Sequence, residues 1–134
     1  MTDVDLKGKR PISPHVQQGA YKVTFSMAIS ISHRMSGVAL YAGTFFLAYW
    51  LISLAAGPEA FETAQMLWGS ILGRLVLFGF TWALMHHMLG GIRHFIWDVP
   101  AMIEKPQIEF LYRATLIGGV VLTGLIWVIG YAAL

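Results

Sequence analysis

"MSGVALYAGTFFLAYWLISLAAGP", residues 35–58, runs for 24 positions without an aspartate, glutamate, lysine or arginine. About 20 consecutive apolar residues cross the hydrocarbon of a bilayer as a helix, so this stretch is long enough to span. Two further charge-free runs follow at residues 75–92 and 114–134, 18 and 21 residues long. Three buried helices of a soluble bundle would need a polar surface to wrap them. With 57% of 134 residues hydrophobic and 12% charged, too little polar sequence remains for that. The reading is an all-α membrane protein with three transmembrane helices.

The first run is not a secretory signal. A signal has a short apolar core close to the N-terminus, followed by a small-residue cleavage site. Here about 30 polar and mixed residues come first, Pro11 and Pro14 among them, and the apolar run is too long. Residues 1–22 are expected to form a cytoplasmic tail, and residues 23–134 a membrane anchor with spans at about 23–56, 68–97 and 112–134. Gly57 and Pro58 end the first span, and "PEAFETAQ" (residues 58–65) reads as a short outer loop with room for a helical turn. The break at Val99 and Pro100 ends the second span, and Pro106 marks an inner loop before the third. Trp50, Trp68 and Trp97 fall near the expected interfaces, as an aromatic belt requires.

Lysine and arginine set the orientation. Lys7, Lys9, Arg10, Lys22 and Arg34 precede the first span, and Arg93, Lys105 and Arg113 flank the second connection. The first connection carries Glu59 and Glu62 and no basic residue, with Arg74 dissenting just beyond it. The N-terminus and second connection therefore belong on the cytoplasmic side. The formal charge of +2 resides in that face and implies no nucleic acid. Absence of cysteine excludes disulfides, thiolate-held iron–sulfur clusters and covalently attached haem, so a redox cofactor would be held by histidine or methionine.

"ALMHHMLGGIRHFIWD", residues 83–98, carries the most chemistry. His87 lies about ten residues before the inner end of its helix, roughly 15 Å deep at 1.5 Å per residue. An ionisable residue at that depth usually faces a partner or a cofactor. Gly79, Ala83, His87 and Gly91 recur every four residues, with Gly90 and His94 near the same stripe. A histidine in such a groove suits a flat macrocycle whose iron the imidazole reaches. It equally suits an interhelical hydrogen bond between closely packed helices. His86 points about 100° away and is the less well placed ligand, although a one-residue error in facing would exchange the two. His94 reads as a partly solvated interfacial histidine, and Arg93 and Asp98 as inner-surface charges able to hold acidic groups of a cofactor. The pairs Gly69/Gly73 and Gly79/Ala83 offer weak signals for close helix contact.

A second cluster, "SISHRMSG" at residues 30–37, enters the first span. Ser30 and Arg34 are i, i+4 neighbours with Gly37 continuing that face and His33 beside it. A hydroxyl, a cation and a gap at the membrane boundary suit the carbonyl headgroup of a quinone. Arg34 snorkelling to lipid phosphates, with serines bonding their own helix, explains the same residues.

"RPISPHVQ", "SISHRMSG" and "HHMLGGIRHFIWD" together resemble, in order and spacing, the cytochrome b membrane-anchor subunit of succinate dehydrogenase (respiratory complex II). The resemblance covers residues 9–98 by motif and the whole chain by its three-span plan. It implies a second three-helix anchor subunit as partner and one haem b shared between the two anchors. It also implies an iron–sulfur subunit and a flavoprotein subunit docked on the inner face, and ubiquinone as substrate. Alignment on "GIRH" makes His87 the axial haem ligand. The motif assigns Ser30 and Arg34 to the quinone site, and His33 with Arg34 to the haem propionates. His86 has no counterpart in the resemblance. No catalysis is expected from this chain alone. A bacterial inner membrane is the expected location, a trimmed mitochondrial chain the less favoured one. Rival readings are a fumarate reductase anchor, a haem-free tether and a small transporter. The last lacks the usual acidic coupling residue within a span.

Overall fold

The computed structural model describes residues 22–133. Most of the expected N-terminal tail, and with it the "RPISPHVQ" motif, lies outside the described residues. Four helices follow in order: α1 Phe25–Ala56, α2 Pro58–Gly69, α3 Ile71–Asp98 and α4 Lys105–Ala132. No strand occurs among the described residues. Helices α1, α3 and α4, of 32, 28 and 28 residues, are long and apolar enough to cross a membrane.

Local chemistry sets each boundary. Thr24 caps α1, its Oγ1 accepting from the Met27 backbone N–H at 3.4 Å. Gly57 joins α1 to α2 with φ 114°, a conformation that side-chain-bearing residues avoid, and Pro58 opens α2 where its missing N–H costs nothing. The segment expected as an outer loop is thus a 12-residue helix. Ser70 alone separates α2 from α3; its hydroxyl donates to the Leu67 carbonyl and accepts from the Gly73 N–H. Gly73 presses on the backbone of Leu67 and Trp68, so its lack of a side chain serves this turn and not a helix–helix contact. Helix α4 begins at Lys105, earlier than the expected span, because the Gln107 side chain accepts from the Glu104 N–H and Pro106 fits the first turn.

Helix α3 is the centre of the bundle, packed antiparallel against α1 and α4, which touch each other little. The bundle is polar inside and apolar outside. Ser36, Ser53, His86, Arg93, Thr115 and Thr123 are buried, whereas Phe45 and Ile71 are 66% and 83% exposed. Water would not tolerate so continuous an apolar surface; lipid or partner helices cover it. The buried hydroxyls of Ser53, Thr115 and Thr123 return to carbonyls one turn back on their own helices, so none is stranded.

Candidate functional site

Histidines from α1 and α3 meet near the end of the bundle where α1 begins and α3 finishes. The rings of His33 and His87 lie 4.2 Å apart and 3° from parallel. Each also bonds the other's backbone: His33 Nε2 to the His87 carbonyl at 3.2 Å, and His87 Nδ1 to the His33 carbonyl at 3.1 Å. Ser36 Oγ donates to that same His33 carbonyl at 2.7 Å and stands 3.2 Å from His87 Nδ1. With its own proton spent on the carbonyl, Ser36 Oγ accepts, and a proton on His87 Nδ1 serves both oxygens. In the neutral ring this leaves the lone pair on Nε2, which has no hydrogen-bond partner among the described residues.

Each ring rests on a glycine of the opposite helix. A Cβ on Gly37 would stand 3.0 Å from His87 Cε1, and one on Gly90 would overlap the His33 imidazole. The sequence signals both glycines but not this pairing. Gly37 reads there as a gap beside Ser30 and Arg34, whereas it seats His87. The four-residue stripe is also divided: Ala83 and Gly90 are buried in helix contacts, while Gly79 and Gly91 face open space. His94 is exposed, its ring 5.6 Å from that of His33.

Ser30 is half-buried and Arg34 exposed, beside His33 and without side-chain partners among the described residues. His86 is fully buried against Ser32 and Trp82. Arg93 corrects the expectation of an inner-surface charge. It is 3% exposed, donates to Thr115 Oγ1 at 3.3 Å, and holds its guanidinium 4.5 Å from the Tyr112 ring centroid and 5.3 Å from that of Trp97. The two rings stand where a carboxylate partner would otherwise be needed, and this cation–π contact lets the guanidinium enter the α3–α4 contact. Asp98 is exposed, as expected of a surface charge. An apolar cavity of 260 Å³, lined by Phe46, Trp50, Trp68 and Phe80 among others, lies toward the opposite end and includes no histidine.

Residues 7–130 match the family model for the succinate dehydrogenase/fumarate reductase transmembrane subunit. The chain is 38% identical over 122 residues to the succinate dehydrogenase cytochrome b556 subunit of Paracoccus denitrificans, covering 91% of this chain and 92% of the relative. It is 31% identical over 127 residues to the b556 subunit of Rickettsia felis, covering 95% and 98%. Against the mitochondrial cytochrome b560 subunit of Sus scrofa it is 37% identical over 109 residues, covering 78% and 62%. A three-span bundle polar at its centre, paired histidines at one end and this similarity over nearly the whole chain converge: the protein belongs to the succinate dehydrogenase/fumarate reductase transmembrane-subunit family, on its cytochrome b side.

Proposed function

We propose that this chain is the cytochrome b anchor of a succinate:quinone oxidoreductase, with His87 as one axial ligand of a haem b shared with a second three-helix anchor. The observation that carries this reading is the state of the His87 imidazole. Metal-ligating histidines donate their second ring N–H to a carbonyl or carboxylate, which fixes the tautomer and the ring direction. Nδ1 of His87 makes that bond to the His33 carbonyl and leaves Nε2 for iron. Gly91, one turn further along the same face, adds no side chain to the space beside it. The residues therefore fit the group. His86, enclosed by Ser32, Trp82 and Gly119, has no such space.

When bound, haem b supplies a one-electron carrier beside the quinone site. The chain's own residues do the rest. Arg34 and Ser30, on the side of α1 not taken up by α3, present a cation and a hydroxyl to a quinone carbonyl. The guanidinium stabilises negative charge as electrons reach that oxygen, and the hydroxyl orients it. Arg34 also supplies positive charge for haem propionates. His33, whose Nε2–H is engaged by the His87 carbonyl at the α1–α3 contact, is the second residue proposed beside the propionates. The end bearing these residues faces the cytoplasm of a bacterial inner membrane, by the lysine and arginine count. There the chain tethers the iron–sulfur and flavoprotein subunits that deliver electrons from succinate. The family description names both succinate dehydrogenase and fumarate reductase, and the relatives' names, all succinate dehydrogenase subunits, support succinate oxidation as the direction; ubiquinone is the acceptor proposed.

The experiment is Arg34→Ala in the assembled complex. Quinone-dependent succinate oxidation should fall on the order of 100-fold, the scale of losing one donor to a developing oxyanion. Reduction of an artificial dye by the soluble subunits should be unchanged. Equal quinone turnover in wild type and variant would remove Arg34 from the site.

A further inference from the structure

His86 is a buried titratable group that the proposed function leaves unused. It is 0% exposed and touches all three spans. Its Nε2 lies 3.0 Å from Ser32 Oγ on α1. Its ring stacks on Trp82 of its own helix, with centroids 5.1 Å apart and planes 8° from parallel. On α4, Gly119 lies so close that an added Cβ would stand 3.3 Å from the His86 Cα. Nδ1 is buried toward the Thr115 backbone without reaching hydrogen-bond geometry. Ser32 Oγ and His86 Nε2 share one hydrogen bond, whose direction follows the imidazole tautomer.

Stability alone is a poor reason to bury an imidazole here. Interhelical hydrogen bonds in lipid add little, and an apolar side chain would fill the same space. Buried polar contacts have their best-attested use in fixing the register of packed helices. On α3, His86 and His87 project about 100° apart, so pinning one ring fixes the rotation that aims the other. We propose that His86 is a positioning residue. Its bond to Ser32 sets the rotation of α3 against α1, and thereby the direction of His87 Nε2 toward the metal. The inference rests on His87 being the ligand.

The test uses the assembled complex and the electron paramagnetic resonance spectrum of the ferric haem, which reports the orientation of the axial imidazole independently of turnover. Haem content is measured alongside. His86→Phe keeps a flat ring against Trp82 and removes the bond; Ser32→Ala removes it from the other side; His86→Gln restores a polar group to it. The g-values should shift in His86→Phe and in Ser32→Ala. The double variant should shift no further than either single, and His86→Gln should return toward wild type. Should His86→Phe not assemble, the comparison of Ser32→Ala with wild type decides. Wild-type g-values in Ser32→Ala, or additive shifts in the double variant, would overturn the proposal. A haem signal intact in His87→Ala would be a different failure, that of the ligand assignment beneath it.

Discussion

Adding one methyl group at Gly90 tests the histidine pairing directly. The alanine Cβ would fall into the His33 imidazole, 2.5 Å from Nε2 and 3.1 Å from Cγ. His33 has little room to retreat, because His87 stacks on it at 4.2 Å and its Nε2 is bonded to the His87 carbonyl. Forcing extra volume into a close-packed contact costs about 1–3 kcal/mol. Breaking the His33 hydrogen bond adds about 1 kcal/mol. Better helix propensity of alanine returns about 1 kcal/mol. A net loss of about 1–3 kcal/mol is expected for Gly90→Ala. Gly37→Ala should cost less, since its Cβ would stand 3.0 Å from His87 Cε1 and a small shift relieves it. Gly124→Ala, with nothing within 4 Å, supplies the propensity control. Denaturant titration of the purified complex in detergent, followed by helical circular dichroism, should rank the three in that order. Gly90→Ala as stable as Gly124→Ala would mean that His33 does not lie over Gly90.

Two other contacts between the helices are open to the same kind of test. Arg93→Lys should lower the thermal midpoint nearly as far as Arg93→Met. An ammonium is more strongly hydrated than a guanidinium and loses more on burial beside Tyr112 and Trp97, where each cation–ring contact contributes on the order of 1 kcal/mol in a desolvated site. A wild-type midpoint for the lysine variant would contradict this geometry. Gly43→Ala should destabilise by about 1–3 kcal/mol through overlap with the Phe80 ring, and Phe80→Leu in the same chain should recover part of it. Additive losses in the double variant would show that the two do not meet.

The three spans were readable because charge avoidance over about 20 residues has one physical cause, the bilayer. The nature of the connections was not. Helix α2 is only 12 residues long and carries two glutamates, so its composition suits a loop as well as a helix lying across the bundle's end. What decides it is Gly57, whose positive φ lets Pro58 start a new helix at once.

Within the site, His87 was signalled by depth and by the nearby glycines. The reciprocal contact with His33 was not, since nothing in either motif states the rotation of α1 against α3. That rotation emerges only when both helices pack and each ring finds the glycine opposite. The burial of Arg93 is hidden in the sequence for a related reason. Five residues before the end of its helix, next to the exposed His94, the arginine looks like a surface group until Tyr112 of α4 supplies an aromatic face. Nothing in the sequence singles out Ser36, because serine in a span usually bonds only its own helix. Here the same hydroxyl bonds the His33 carbonyl and reaches His87.

The central claim is that His87, held through Nδ1, offers Nε2 to a haem b. The most direct measurement is a reduced-minus-oxidised visible spectrum of the complex co-expressed with its partner subunits, with succinate as reductant, for wild type and His87→Ala. Wild type should show a b-type haem signal that is lost or strongly altered in the variant. A wild-type complex without haem, or an unaltered signal in His87→Ala, would contradict it.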